Sequence, residues 1–320
     1  MYQECDVHTS RLSMLRDRAE MLAKARFFFS ERNVLEVDCP SLGKAAPIDV
    51  HIDVMEVDLG DHKQGYLHTS PEYWMKRLLA QGMGDIYQLS HVFRQGEIGR
   101  LHNPEFTMVE WYRLGIPFDL FIKETLDFIC LFLGHLPYQT MTYREAIHNY
   151  ADVDYLTAEP SELISIIEGK GFHLSEEVKK GTKDSLLQLL MSLIIEPHFG
   201  KDSLSVITDF PASQAALAKI IQGEEPIAKR FEVYSNGIEL ANGYHELADP
   251  NEQRRRLEES NKERIRLGKT SLKMDEHFLH ALDQGLPDCC GVAVGFDRLM
   301  LLRHQKDSLE DVLPFPWSEA

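Results

Sequence analysis

The chain has 320 residues, with 34 Lys and Arg against 51 Asp and Glu, a formal net charge of −17. Its 43% apolar and 27% charged residues are ordinary globular composition, which excludes wholesale disorder and a fibrous protein. The acidic balance weighs against a large nucleic-acid footprint, because phosphate contacts need clustered Lys and Arg, but it leaves room for a small basic pocket.

Met1–Asp6 has no basic segment or apolar stretch of a secretory signal, and no apolar run reaches the ~18 residues of a membrane span. A cytoplasmic protein with no membrane association is therefore expected. Residues 11–29 carry Leu12, Leu15, Ala19, Leu22 and Ala25 close to helical spacing, and 34–38 read as a strand ending at Pro40. A short strand at 66–69 runs into Ser70-Pro71-Glu72, where Ser70 is the expected N-cap, Pro71 the first helical residue and Glu72 the first-turn acid. Strands at 86–94 and 106–113 flank a long polar loop over 95–104; loops of that length inside compact domains are usually functional. A helix follows at 118–133. Residues 151–200 read as a helical insertion or lid, with Leu186, Leu187, Leu189 and Leu190 as core. Phe231–Ser235 and Ile238–Ala241 flank Asn236-Gly237, a strong two-residue hairpin turn. Helices are expected near 251–267, with Arg254, Arg255 and Arg256 on a solvated face, and near 275–285. A buried strand at 292–295 then turns into a last helix at Phe296-Asp297-Arg298. Cys5, Cys39, Cys130, Cys289 and Cys290 show no C-x-x-C and no zinc spacing, so they are expected as free thiols.

Four places could carry chemistry, the carboxylate at the Ser70-Pro71-Glu72 helix start among them, although taken alone it reads better as a plain cap and dipole partner. A two-residue turn at 236–237 pairs Ser235 with Ile238, Tyr234 with Glu239 and Glu232 with Ala241. Glu232 and Glu239 then share a face as diagonal neighbours, roughly 7–8 Å apart at the backbone, and could share a Mg²⁺ that also takes substrate phosphates; by spacing alone, two solvated glutamates on an exposed sheet face are the better reading. Strict alternation puts Asn242 on the other face unless a bulge near Gly243 turns it. The 94–106 loop, with Arg94, Glu97, Arg100, His102 and Asn103 before Phe106, could bind a polyphosphate and stack a base, or could be a charged surface loop. Gly291–Arg298 is a glycine-flanked strand entering a helix; it matches neither a P-loop nor a G-x-G-x-x-G turn.

In order along the chain, these segments resemble the catalytic core of class II aminoacyl-tRNA synthetases of the lysyl type. The signatures are Glu36-Val37-Asp38-Cys39-Pro40, then Phe93-Arg94 through His102-Asn103-Pro104-Glu105-Phe106-Thr107-Met108, and Gly295-Phe296-Asp297-Arg298-Leu299. The lysyl-type marks are Ser70-Pro71-Glu72-Tyr73, Glu110-Trp111-Tyr112 and Glu239 through Glu246. Only about ten residues precede the first core helix, so no anticodon-binding domain is expected. That stripped core resembles the family of elongation factor P–lysine ligases, paralogues of the lysyl synthetases, most closely at Phe210–Ala215 and Ala241–Leu247.

The resemblance implies an α+β fold, a mainly antiparallel sheet of about six strands flanked by helices, in one catalytic domain over 1–320 with its insertion at about 151–200. It implies a ligase that activates (R)-β-lysine, less well α-lysine, as an adenylate using ATP and Mg²⁺, and passes it to a lysine ε-amine on elongation factor P. ATP would lie against Arg94, Gln95, Gly96, Glu97, Asn103, Phe106, Glu239, Leu240, Gly295 and Arg298. Arg94 would neutralise the α-phosphate and Arg298 grip the γ-phosphate, as the catalytic pair; Phe106 would stack on adenine. Glu232 and Glu239 would hold the metal. Ser70, Pro71, Glu72, Tyr112 and Glu246 would bind the amino-acid substrate. Phe93-Arg94-Gln95-Gly96-Glu97 departs from the usual Phe-Arg-Asn-Glu, displacing the glutamate by one. Ala293 stands where tRNA-charging relatives carry glycine. A homodimer through the Pro40 segment and no tRNA partner are expected. A tRNA-charging enzyme and a non-catalytic lysine- and ATP-binding regulator are the alternatives; the presence of Arg94, Arg298, Glu232 and Glu239 argues against the regulator.

Overall fold

A computed structural model describes residues 3–320, with side chains from residue 11 onward; Met1, Tyr2 and the side chains of 3–10, Cys5 among them, lie outside the described residues. The chain forms two compact units, residues 1–134 with 246–320, and residues 135–245.

The first unit opens with α1 (Gln3–Ser30), β1 (Leu35–Glu36), β2 (Leu42–Gly43), β3 (Glu56–Asp58), β4 (Gln64–Leu67), α2 (Glu72–Ala80), β5 (Ile86–Phe93), β6 (Glu105–Leu114) and α3 (Phe118–Leu133). β5 pairs antiparallel with β6 and parallel with the two-residue β1, while β2, β4 and β3 make a small antiparallel sheet. Strand alternation divides the β5–β6 pair. Tyr87 sits opposite Trp111, and this face takes Phe29 of α1 and Phe128 of α3, with Phe29 stacked on Tyr87 at 4.1 Å and Trp111 5.3 Å from each phenylalanine. The opposite face carries Gln88 across from Glu110 and Ile86 across from Tyr112. One expectation is corrected: α2 begins at Glu72 with Pro71 in the cap position, and Pro71 makes no side-chain cap. The Ser70 hydroxyl still accepts the Glu72 N–H at 3.0 Å, one residue outside the cap, because Pro71 separates it from the first turn.

The second unit comprises β7 (Tyr138–Thr142), α4 (Tyr143–Ala151), α5 (Pro160–Gly169), α6 (Glu176–Lys179), α7 (Lys183–Leu190), β8 (Leu204–Pro211), β9 (Ile220–Ile221), β10 (Ile227–Ser235) and β11 (Ile238–His245). Its strands run in the order β11-β10-β8-β7, with β9 beside β10; only β7 and β8 are parallel. The helices of 151–200 are part of this unit's core: Leu163, Leu186, Leu187 and Leu190 pack with Ile207 and Phe210 of β8 and Tyr234 of β10.

The 236–237 turn forms with Asn236 at φ 50° and Gly237 at φ 71°, the left-handed pair that a type I′ turn needs. Ser235 faces Ile238 and Tyr234 faces Glu239 as expected, but the register then shifts, so that Val233 faces Ala241 and Glu232 faces Asn242. The expected pairing of Glu232 with Ala241 is thus wrong by one residue. Leu240 is the extra residue of a bulge three positions before Gly243. Because side chains alternate, one inserted residue moves Asn242 onto the face of Glu232 and Glu239.

The chain returns to the first unit with α8 (Pro250–Arg266), α9 (Glu276–Gly285), β12 (Cys289–Gly295) and α10 (Phe296–Arg303). β12 pairs antiparallel with β6, completing the order β1-β5-β6-β12. Arg254 and Arg255 lie on the solvated face of α8, paired with Glu276, Glu252 and Glu259; Arg256, half-buried, also pairs with Glu252. Cys39, Cys130, Cys289 and Cys290 are free thiols. Among the described residues, no helix is long and apolar enough to cross a membrane.

Candidate active site

The first unit holds a buried cluster of charge on the face of β6 opposite the aromatic core. Glu110 and Tyr112, two apart on β6, both point there, and the Tyr112 hydroxyl donates to Glu110 Oε1 at 2.7 Å. Ser70 donates to Glu110 Oε2 at 2.7 Å. From α2, Lys76 Nζ reaches Glu72 at 2.6 Å, one helical turn back, and Glu246 at 2.5 Å. Glu246 is fixed by its own N–H, which donates to the Cys289 carbonyl at 3.0 Å. Lys76 is fully buried, and Glu110 and Glu246 are 2% and 4% exposed. Gly291 of β12, opposite Tyr112, makes room for this packing: a Cβ there would lie 2.3 Å from the Tyr112 ring and 2.4 Å from Glu246 Oε1.

Burial dominates the electrostatics. It raises Glu110 to about 7, with Glu72 adding to the shift and hydrogen bonds from Ser70 and Tyr112 opposing it. It raises Glu246 to about 8 against the attraction of Lys76. Burial also works against the Lys76 charge, but Glu246 and Glu72 overcome it and hold the ammonium protonated. Tyr112 is pushed well above its ordinary value, by burial first and then by the surrounding carboxylates. Three carboxylates around one ammonium, away from water, form a site short of positive charge.

Of the expected substrate residues, Ser70, Glu72, Tyr112 and Glu246 meet in this cluster, with Pro71 buried at the head of α2. Neither Glu110 nor Lys76 is among the expected substrate residues, although Glu110 opens the Glu110-Trp111-Tyr112 mark. Period-2 spacing from Tyr112 marks Glu110, and i,i+4 spacing from Glu72 marks Lys76.

The 94–106 segment is more open. Arg94 lies over the Phe106 ring, 5.0 Å from its centroid, and its Nε is buried with no hydrogen-bond partner. Gly96 has φ 78°, a backbone region that glutamate rarely adopts. The inserted glycine therefore loops outward and Glu97 turns back, 3.7 Å from Arg94 and 4.0 Å from His102. Gln95 is exposed. His102 Nε2 accepts from the Arg298 guanidinium at 3.1 Å; partial burial, then the Arg298 cation, lowers its pKa and favours the neutral ring as acceptor. Asn103 spans Glu105, donating to its carbonyl at 2.6 Å, and Trp317, whose N–H it accepts at 3.0 Å. Arg298 is aimed by its neighbour: Asp297 is buried, paired with Arg18 at 2.5 Å and accepting the Thr107 N–H at 2.7 Å. This locks the start of α10 to the strand residue after Phe106. Gly295 packs against the stem of Arg298.

In the second unit, Glu232 is ion-paired with Arg230 and accepts from the Tyr234 hydroxyl. Arg230 also donates to Asn242 at 3.3 Å and to the Gln214 carbonyl at 3.1 Å. Burial raises the Glu232 pKa, Arg230 opposes this, and Glu239 adds to it. That Glu239 repulsion is felt at Glu232 fits two carboxylates on one face that a cation would relieve. Leu240, the bulge residue, is buried. Among the described residues, there is no group of three or more His, Cys, Asp or Glu that could hold a metal ion.

A family model described as tRNA synthetases class II (D, K and N) matches residues 2–319, and the chain belongs to that family. Its relatives narrow the group further. Over 317 residues, 98% of each chain, it is 44% identical to the elongation factor P–(R)-β-lysine ligase of Vibrio cholerae. Over 308 residues, 95% of this chain and 94% of the other, it is 42% identical to the ligase of the same name from Salmonella gallinarum.

Proposed function

We propose that this protein is an ATP-dependent ligase that activates (R)-β-lysine and joins it to a lysine of elongation factor P. The observation that carries the reading is the buried cluster of Glu72, Lys76, Glu110 and Glu246 with Tyr112, a site built for ammonium groups, in a chain that is similar over nearly its whole length to ligases of that name. In the first step a substrate carboxylate oxygen attacks the α-phosphorus of ATP, a phosphoanhydride bond breaks, and pyrophosphate leaves. Charge repulsion makes up much of that barrier, so positioning and neutralisation are what the protein supplies. Arg94, with its unpartnered Nε, takes the α-phosphate; Arg298 holds the outer phosphate; Phe106 stacks on the base and Asn103 holds the nucleotide, with Gln95, Gly96, Glu97 and Gly295 lining it. In the second step the acceptor ε-amine attacks the acyl carbon, the bond to AMP breaks, and an amide forms with loss of a proton.

Glu72, Glu110, Glu246 and Tyr112 orient the substrate by its ammonium groups, with Ser70 and Pro71 setting the strand-to-helix turn that carries Glu72. Glu232 and Glu239 would hold Mg²⁺, which lowers the charge of bound polyphosphate; Leu240 sets their spacing. A homodimer through the Pro40 segment is supported by Leu35 and Leu42, 51% and 39% exposed on either side of it. The net charge of −17 supports a protein acceptor over tRNA, and with no membrane-spanning helix described the cytoplasm is the expected compartment. The test is the intact mass of elongation factor P after incubation with this protein, ATP, Mg²⁺ and (R)-β-lysine. A gain of one lysyl unit is expected; ATP turnover with no gain would overturn the acceptor and leave tRNA to be assayed.

A further inference from the structure

Lys76 occupies a place that a substrate ammonium would be expected to take. It is fully buried, and it is ion-paired with both glutamates that recognition of a diamino acid calls for, at 2.6 Å to Glu72, to which it also donates a hydrogen bond, and 2.5 Å to Glu246. It uses one oxygen of each, Glu72 Oε1 and Glu246 Oε2. The other Glu246 oxygen, Oε1, points to the space left by Gly291, beside the Tyr112 ring. Held between two carboxylates in a dry pocket, the lysine fixes the rotamer of each acid and leaves one oxygen per acid for a ligand.

The charge count gives it a second effect. Glu72, Glu110 and Glu246 carry three negative charges when ionised, and Lys76 cancels one. Buried charge without a partner is strongly unfavourable, so the free pocket is completed either by protons or by two further positive charges.

We propose that Lys76 is a positioning and specificity residue, an internal ammonium that orients Glu72 and Glu246 and leaves the pocket two positive charges short, the number a diamino acid brings. The inference rests on the proposed amino-acid activation. It explains why a monoamino acid of the same length would bind poorly, since one carboxylate would stay unpaired or keep a proton. It also requires that diamino-acid binding displaces protons from the carboxylates. The titratable groups facing the cluster are Glu72 and Tyr73 of α2, Glu110 and Tyr112 of β6, Glu246, Cys289 of β12, and Cys39. The tyrosines and both cysteines are all raised, chiefly by burial, so they stay neutral near pH 7, and the protons released come from glutamates.

The test compares wild type with Lys76→Met in β-lysine-dependent ATP–pyrophosphate exchange, with thermal unfolding confirming the fold. The expected result is a KM for β-lysine raised about 100-fold, the size expected for losing a buried charge partner, with the KM for ATP unchanged. Titration calorimetry of wild type in buffers of different ionisation enthalpy should show proton release on β-lysine binding at pH 7. If Lys76→Met does not fold, Lys76→Ala with propylammonium added replaces it, and the amine should restore the β-lysine KM. A folded Lys76→Met with a β-lysine KM within threefold of wild type, a variant whose ATP and β-lysine KM values move together, no proton release, or no amine rescue would each overturn the role of Lys76. Wild type that exchanges pyrophosphate with no diamino acid would overturn the functional reading itself, and this inference with it.

Discussion

The two halves of the candidate site in the first unit are made differently. The carboxylate cluster is closed, with Lys76 fully buried and the side-chain pairings of Glu72, Glu110 and Glu246 at 2.5–2.7 Å. The 94–106 segment is half-open: Arg94 and Glu97 stand 3.7 Å apart, Glu97 and His102 4.0 Å, and the Arg94 Nε has no partner. A closed pocket selects by the charge it lacks and is organised before the ligand arrives. In the proposed reading, the open segment selects little by itself and is organised by the polyanion it binds. Substitutions in the first should therefore appear in the KM for the amino acid, and substitutions in the second in turnover.

The largest effect is expected from the open segment. Arg94→Ala should lower kcat for ATP–pyrophosphate exchange by about 100- to 1,000-fold, the range for losing one preorganised group that stabilises transition-state charge, with the amino-acid KM nearly unchanged. A rise in amino-acid KM with intact kcat would erase the contrast between the two halves. Next is Glu246→Gln in the closed pocket. Its β-lysine KM should rise about 30- to 100-fold while the ATP KM holds, and unchanged adenylate formation at low lysine would remove Glu246 from the substrate site.

How much of this is visible in the sequence follows the same division. The hairpin at Asn236-Gly237, the strands bounding the 94–106 loop and the helix over 118–133 are dictated by local signals, namely turn chemistry and periodicity, and they form as expected. The bulge at Leu240 has no local signal. It belongs to strand pairing, and it alone puts Asn242 on the face of Glu232. Lys76 is hidden for a different reason: a lysine on a helix ordinarily reads as solvated, and only the tertiary meeting of α2 with Glu246 makes it a buried counter-ion. Glu110 was within reach of the period-2 rule once Tyr112 was singled out.

The closed pocket should also be visible in stability without any substrate. Glu110 and Glu246 are raised from 4.5 to about 7 and about 8, so the folded state binds these protons more tightly than the unfolded chain. Their contribution is fully present below about pH 4.5 and is lost as pH rises through 7 and 8. Carboxylates held low by arginine elsewhere, such as Glu252 at about 2, have finished titrating below that window. His68 and His102, held low chiefly by burial, act in the opposite sense but are common to wild type and variant. Subtracting the Tm of Glu110→Gln from that of wild type should therefore give a difference that becomes more unfavourable to wild type from pH 5 to pH 8, by a few degrees. Saturating β-lysine should reduce it. A difference that is flat with pH would mean that Glu110 is not a proton-holding group of a dry pocket.

The smallest effect concerns which diamino acid is preferred. Ala293 of β12 sits opposite Glu110, and Gly291, two residues earlier, sits opposite Tyr112. Residues directly opposite in an antiparallel pair share a face, so the Ala293 methyl projects from the face that carries Glu110 and Tyr112. A single methyl in a pocket changes discrimination between close homologues by about 10- to 200-fold at most; here it bears only on where the amino group is attached along the same carbon chain. Ala293→Gly should raise kcat/KM for α-lysine about three- to tenfold relative to β-lysine, leaving the ATP KM and the charge-dependent binding of both isomers intact. Competition between the two isomers in adenylate formation measures the ratio directly. If it does not move, the isomer preference is set by the carboxylate positions rather than by the shape of β12, and the sequence difference at 293 has no part in it.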